Sequence, residues 1–348
     1  MSKSSTSITL LTLVGLAIAM VSVGGCQRQL ETDGKIKDIP TPERVTERQV
    51  DEGLALNNAT LEQKDQDGNL EWKIKVGRVV YTENNQLATL EKVVANIYDG
   101  KDLIFKVSAD KGRVEEKGTL LKLEQNVLVN DVGQGSTLRS GRGQWNTKDR
   151  VLLVEDNVQV YHPQLSIKAA KGQYFTKQNN IKLETKVEGV LPQDALRINT
   201  ENLVWQIKAN KVVSDRPITI TNADGVVTAK RGDVLLDQEI ANLSQDVRWT
   251  KADNLQKLAT NQASYLIKTG LIRISAPLKF LATDQGIELT ANQGDFSIKD
   301  NLIRLRGGVQ GIDRVQQTEI SAQTINWNLT TEVLTANTNV TYSQKILI

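Results

Sequence analysis

The chain has 348 residues, 39% of them hydrophobic and 24% charged, enough for one or two globular domains with a substantial core. With 43 basic against 41 acidic residues it carries no basic footprint for nucleic acid. A single cysteine, Cys26, and a single histidine, His162, exclude a disulfide framework and leave little for a metal site or for catalysis.

Residues 8–25, "ITLLTLVGLAIAMVSVGG", form a run without a charge, preceded by Lys3 and followed by Cys26, Gln27 and Arg28. Such a run is either a cleaved signal or a membrane anchor. Val23-Gly24-Gly25-Cys26 resembles a bacterial lipobox, in which the cysteine is lipidated after cleavage, and Cys26 is the candidate attachment site. The alternative is an uncleaved helix with the cysteine at its end. Both place the remainder beyond a bacterial inner membrane, in the periplasm and attached to a bilayer. Residues 27–53 are charged, contain Pro40-Thr41-Pro42 and lack apolar periodicity, which marks a flexible tether.

From residue 54 to 98 the segments "LEWKIKVGRVVY" and "ATLEKVVANIY" alternate apolar and polar residues and predict about four strands. From about residue 104 the chain repeats itself, with a period of about 30 residues. An apolar residue, any residue and a small residue recur as Val107-Ala109, Leu138-Ser140, Ile167-Ala169, Ile198-Thr200, Val227-Ala229, Leu258-Thr260, Leu289-Ala291 and Ile320-Ala322. Twenty residues after each first member stands an aliphatic one: Val127, Val158, Val187, Ile218, Val247, Leu278, Val309 and Val340. A third column holds Val114, Trp145, Tyr174, Trp205, Val234, Tyr265, Phe296 and Trp327, six of eight aromatic in a chain with only 4% aromatics. Glycines precede it at Gly112, Gly143, Gly172, Gly232 and Gly294.

Each unit reads as a β-hairpin, closed by a polar turn such as "NTKDR" and joined to the next by a connection such as "YHPQ". The apolar phase slips between the small residue and the glycine, which predicts a bulge or bend. In the second strand the pair before the aliphatic column is Gln125-Asn126, Asp156-Asn157, Thr185-Lys186, Arg216-Pro217, Gln245-Asp246, Ala276-Pro277, Gly307-Gly308 or Thr338-Asn339, residues suited to a second bend. Eight such hairpins stack into two sheets facing each other across one apolar interior. Aromatics at one end of each strand, with alanine, serine and threonine at the other, fit a wedge whose open edge exposes apolar surface. The plainer reading of the same columns is a filled core.

At this point the chain is similar to a known family. The anchor, the tether, "GNLEWKIKVGRVVYTENNQLATLEKVVANIY" and "FKVSADKGRVEEKGTLLKLEQNVLV" resemble LptC, the membrane-anchored periplasmic component of lipopolysaccharide export, and the repeats resemble the related LptA. The resemblance implies an all-β, antiparallel β-taco or β-jellyroll over residues 54–345, for which the eight hairpins and the strands ahead of them give about 16–20 strands. Its groove takes acyl chains of lipopolysaccharide from an inner-membrane ABC transporter and passes them to an LptA-like bridge protein through terminal edge strands. The candidate lining is Val107, Val127, Leu138, Trp145, Val158, Ile167, Tyr174, Val187 and Trp205. No catalytic residue, cofactor or metal is implied. Family members usually have about half as many strands, which bears on how many bridge partners this chain needs. The alternative function is a ligand-free structural solenoid or stalk. A hydrolase is disfavoured, because His162 falls in the "YHPQ" connection, as a solvated loop residue, and Glu115-Glu116 in a turn.

Overall fold

The computed structural model describes residues 54–82, 87–191 and 196–345. The tether, residues 8–25 and Cys26 lie outside the described residues.

Strands β1 (Ala55–Lys64), β2 (Leu70–Tyr81), β3 (Ala88–Asp99) and β4 (Asp102–Glu115) open the array. They are followed by β5 (Leu120–Asp131), β6 (Thr137–Asn146), β7 (Val151–His162), β8 (Leu165–Phe175), β9 (Asn180–Leu191) and β10 (Leu196–Gln206). Beyond these, several strands are broken at mid-length: β11 (Lys211–Ser214) and β12 (Ile218–Asn222), then β13 (Gly225–Ala229) and β14 (Arg231–Leu235). After β15 (Ile240–Lys251) and β16 (Gln256–Leu266) come the halves β17 (Leu271–Ile274) and β18 (Leu278–Ala282), then β19 (Ile287–Ala291) and β20 (Gln293–Ser297). The array ends with β21 (Leu302–Asp313), β22 (Thr318–Asn328) and the halves β23 (Val333–Asn337) and β24 (Thr341–Gln344).

Joining the five split pairs turns the 24 segments into nineteen strands, within the range expected from the repeats. Three strands, not four, precede the repeats: at ten to twelve residues each, they and their turns fill the available segment. Every strand pairs antiparallel with the next one in the chain, so the sheet is a plain meander. The one helical element among the described residues is a 3₁₀ turn, Glu116–Gly118.

The meander is folded over along its length because each strand bends at its middle. In β5, Glu124 pairs with Arg142 and Val127 with Ser140, so two residues face one across the ladder and a bulge forms. The two extra residues, Gln125 and Asn126, have φ of 66° and 52°, and both are exposed. Left-handed pairs recur at Asp156-Asn157, Thr185-Lys186, Gln245-Asp246, Gly307-Gly308 and Thr338-Asn339. Two consecutive left-handed residues turn the backbone sharply, a conformation that polar and glycine residues tolerate best.

The remaining two corners are made differently. Pro217 and Pro277 break the strand outright, since proline cannot donate to the ladder. Hydroxyls of the small-residue column close these corners: Thr200 Oγ1 lies 2.8 Å from Ser214 Oγ, and Thr260 Oγ1 donates to the Pro277 carbonyl at 3.0 Å.

Bending divides every strand between two walls. The loop wall ends in the variable connections. The turn wall ends in four-residue turns whose last residue is left-handed, at Arg150, Asn179, Asn210, Glu239, Gly270, Asn301 and Glu332. These turns are themselves bonded in series. The first N–H of each turn donates to the last carbonyl of the turn before, as in Ile207 to Asn179 (3.0 Å), Leu236 to Asn210 (2.9 Å) and Leu329 to Asn301 (2.8 Å).

Near the corners the walls approach closely, which accounts for the glycine column. A Cβ on Gly143 would meet Val127 Cγ1 at 3.2 Å, and one on Gly294 would meet Leu305 and Leu278 at 2.9 and 3.0 Å. The apolar side chains between the walls form one continuous core from Trp72 to Trp327.

Candidate functional site

All nine candidate lining residues lie in this interior. Val107, Val127, Leu138, Val158, Ile167 and Val187 come from the loop wall, and Trp145, Tyr174 and Trp205 from the turn wall. Every one is buried.

The expected open edge is closed. Corners form one long edge of the wedge, and the strand ends meet along the other, where the aromatic column of the turn wall spans the gap to the loop wall. Phe105, at the start of β4, packs edge-on against Trp145 (centroids 5.9 Å apart) and Tyr174 (5.2 Å). Phe280 does the same with Trp327 at 6.0 Å. Such ring pairs contribute about 0.5–1.5 kcal/mol each beyond the area they bury.

Polar contacts complete the seam. Trp72 Nε1 donates to the Gly118 carbonyl at 2.9 Å. Arg150 pairs with Asp99. The Tyr174 hydroxyl donates to Asp131 Oδ2 at 2.8 Å, and Asn222 Nδ2 lies 3.2 Å from the Tyr265 hydroxyl. Asn210 Nδ2 donates to Gln164 Oε1 at 2.9 Å. His162 is not a solvated loop residue: it ends β7, and its ring stands edge-on to Trp205 at 5.0 Å. Burial lowers the His162 pKa below the usual value, favouring the neutral ring. Burial, reinforced by the Asp131 carboxylate, pushes the Tyr174 phenol well above its usual range.

The turn-wall side of this seam is legible in the sequence columns, whereas the loop-wall side was missed. Asp131, His162 and Asn222 occupy one column at the ends of β5, β7 and β12. They lie on the strand parity that is otherwise apolar, so a polar residue there signals a partner across the interior.

Two places in the seam are less complete. A cavity of about 280 Å³ is lined by Trp249, Phe296, Ile303 and Leu329, with Lys251 and Asp224 among its polar residues. A smaller one of about 50 Å³ lies beside Trp145, Thr147 and Arg150. The indole N–H groups of Trp145 and Trp205 are buried without a protein partner, as is the Thr147 hydroxyl. Leaving such a group unpaired costs on the order of 1–3 kcal/mol. Among the described residues no cluster of metal-ligating side chains occurs.

An antiparallel meander folded lengthwise over one apolar interior, with corners along one edge and a sealed seam along the other, is a β-taco. The chain belongs to the LptC-related family of lipopolysaccharide-assembly proteins, whose model matches residues 15–192 and again residues 162–252. That family consists of periplasmic envelope proteins, and membership gives the chain a role in lipopolysaccharide transport. Among solved structures it is similar to LptH, the LptA-homologous periplasmic component of the lipopolysaccharide transport device of Pseudomonas aeruginosa, at 14% identity and a TM-score of 0.32, covering 36% of this chain and 100% of that one. It is also similar to the TCP10 domain of Danio rerio CPAP, solved with a peptide of Danio rerio STIL, at 13% identity and a TM-score of 0.14, covering 56% of this chain and 96% of that one. No curated protein matches the sequence. The described residues contain no helix long and apolar enough to cross a membrane.

Proposed function

We propose that this chain is a bridge component of lipopolysaccharide export that carries acyl chains between its two walls. In this reading it receives them from the inner-membrane ABC transporter and passes them to an LptA-like protein, tethered to the membrane through residues 8–25 or an acylated Cys26. The observation that carries the proposal is the seam. The interior is apolar along its whole length, and it is held shut along one edge by ring pairs and polar contacts between strand ends. Walls of this kind part without unravelling the ladder. Each methylene moved from water onto them contributes about 0.8 kcal/mol, so one acyl chain outweighs several seam contacts. Successive rungs offer similar surfaces, so sliding between them is nearly isoenergetic, and direction comes from ATP-driven loading upstream. No step requires a catalytic residue.

Hand-over to a partner uses the unpaired edges. Among the described residues, β1 and the final rung of β23 and β24 each have only one neighbouring strand, and Tyr342 on the last is 61% exposed. Such edges accept a strand from another chain.

In-cell photocrosslinking from Leu138 tests the reading. Crosslinks to lipopolysaccharide, lost on Val127→Asp or Ile167→Asp in protein that still folds, are expected. Their absence at Leu138 and at several other interior positions sinks it and favours the ligand-free stalk, which the close packing of the interior also supports.

A further inference from the structure

At two points the seam satisfies its buried donors: Trp72 Nε1 has the Gly118 carbonyl, and the Tyr174 hydroxyl has Asp131. Around Trp145 it does not. Trp145 is 2% exposed, yet its indole N–H has no protein acceptor, and neither has the buried hydroxyl of Thr147. Both residues line the cavity of about 50 Å³, opposite Leu70, Tyr98 and Gly100 of the loop wall. The charged groups there are engaged or of the wrong sign for an anion. Asp65 accepts from Asn69 and from the Asp67 backbone within its own turn, and Arg150 is paired with Asp99. Glu71 adds a further negative charge. A space of this size has room for a small oxygen-bearing group. The site therefore calls for a neutral acceptor. Phe105 packs edge-on against Trp145 and belongs to the apolar interior.

Resting on the acyl-carrying reading above, we propose that this niche binds the carbonyl oxygen of an acyl chain's ester or amide linkage. Trp145 Nε1–H and the Thr147 hydroxyl are the donors, and the chain's methylenes run past Phe105 between the walls. The niche thus fixes how deeply a chain can enter. Trp205 carries the same unpaired indole further along the column.

Two amphiphiles with equal twelve-carbon chains and disaccharide heads separate the possibilities: sucrose monolaurate, which has the ester carbonyl, and dodecyl maltoside, which lacks it. The full-length chain, ¹⁵N-labelled at tryptophan, is titrated with each. The expected result is a downfield shift of the Trp145 indole resonance with the ester only, and an affinity for the ester about tenfold higher, as one hydrogen bond to an otherwise unpaired donor gives. Trp145→Phe, which keeps an aromatic ring in the core, removes the preference and leaves dodecyl maltoside binding unchanged. If both amphiphiles bind equally with the Trp145 resonance unmoved, as a resident water would produce, or if Trp145→Phe keeps the preference, the proposal is overturned while the acyl-carrying reading stands. If neither binds, both fail.

Discussion

Replacing Phe105 by alanine tests whether the two walls are held together by side chains meeting across the interior. Phe105 is 1% exposed and touches both Trp145 and Tyr174 edge-on. Removing the ring forfeits roughly 1–3 kcal/mol from the two aromatic pairs. It also forfeits about 1.5–3 kcal/mol of burial, so the total falls in the range of about 3–5 kcal/mol seen for phenylalanine truncations in packed cores. The meander bonds each strand only to its neighbours, so the loss is expected to stay local. Hydrogen exchange read by mass spectrometry is the assay. Protection should fall in peptides from β2 to β8 and remain unchanged from β15 to β22, with Phe105→Leu showing a smaller change at the same places. A uniform loss of protection along the chain would refute the argument, because it would mean that the rungs unfold as a single cooperative block. A loss under about 1 kcal/mol would equally refute the role of Phe105 as a contact between the walls.

Other expectations concern the corners and the titrating groups of the seam. Gln125→Val forces a β-branched residue into the left-handed region and should cost about 1–2 kcal/mol in chemical denaturation, whereas Gln125→Gly should not destabilise the corner. Asn126→Val should cost more than Gln125→Val, since it also removes the 2.6 Å hydrogen bond to Asp110. His162 is held neutral by burial, so its contribution is complete above the free side chain's 6.5 and is lost as the pH falls below that value. The acid-side fall in stability should therefore be shallower in His162→Phe than in the parent, and equal slopes would remove His162 from the seam. Tyr174 is held protonated, so its contribution is complete below the phenol's usual 10.0 and is lost as the pH rises above it. Tyr174→Phe should flatten the alkaline limb of a thermal stability profile.

Period, strand parity and the position of each corner could be read from residue columns, because each is set by local chemistry repeated eight times. Gln125 and Asp156 are polar where parity demands apolar residues, and that conflict is the bend itself. The state of the seam was not readable in the same way. Whether Trp145 faces open space or Phe105 depends on how strands in different rungs of the folded sheet are offset, and no periodicity encodes that offset. The same holds for Tyr174 and Asp131, which meet from separate rungs. The glycine column was visible as a pattern, but its cause, crowding of Gly143 against Val127 and of Gly294 against Leu278, is a property of the closed corner.

The serial bonding of the turns, each accepting from the next, bears on how such a chain changes length over evolutionary time. A hairpin inserted anywhere in the array brings its own corner and turn, and it re-forms the same bonds with whichever hairpins flank it. Duplicating one coding unit of about 30 residues thus leaves the series of turn-to-turn bonds unbroken. The family model matches this chain twice in overlapping stretches, as a product of such growth would. The length of the array then becomes adjustable in steps of two strands, about 10 Å apiece.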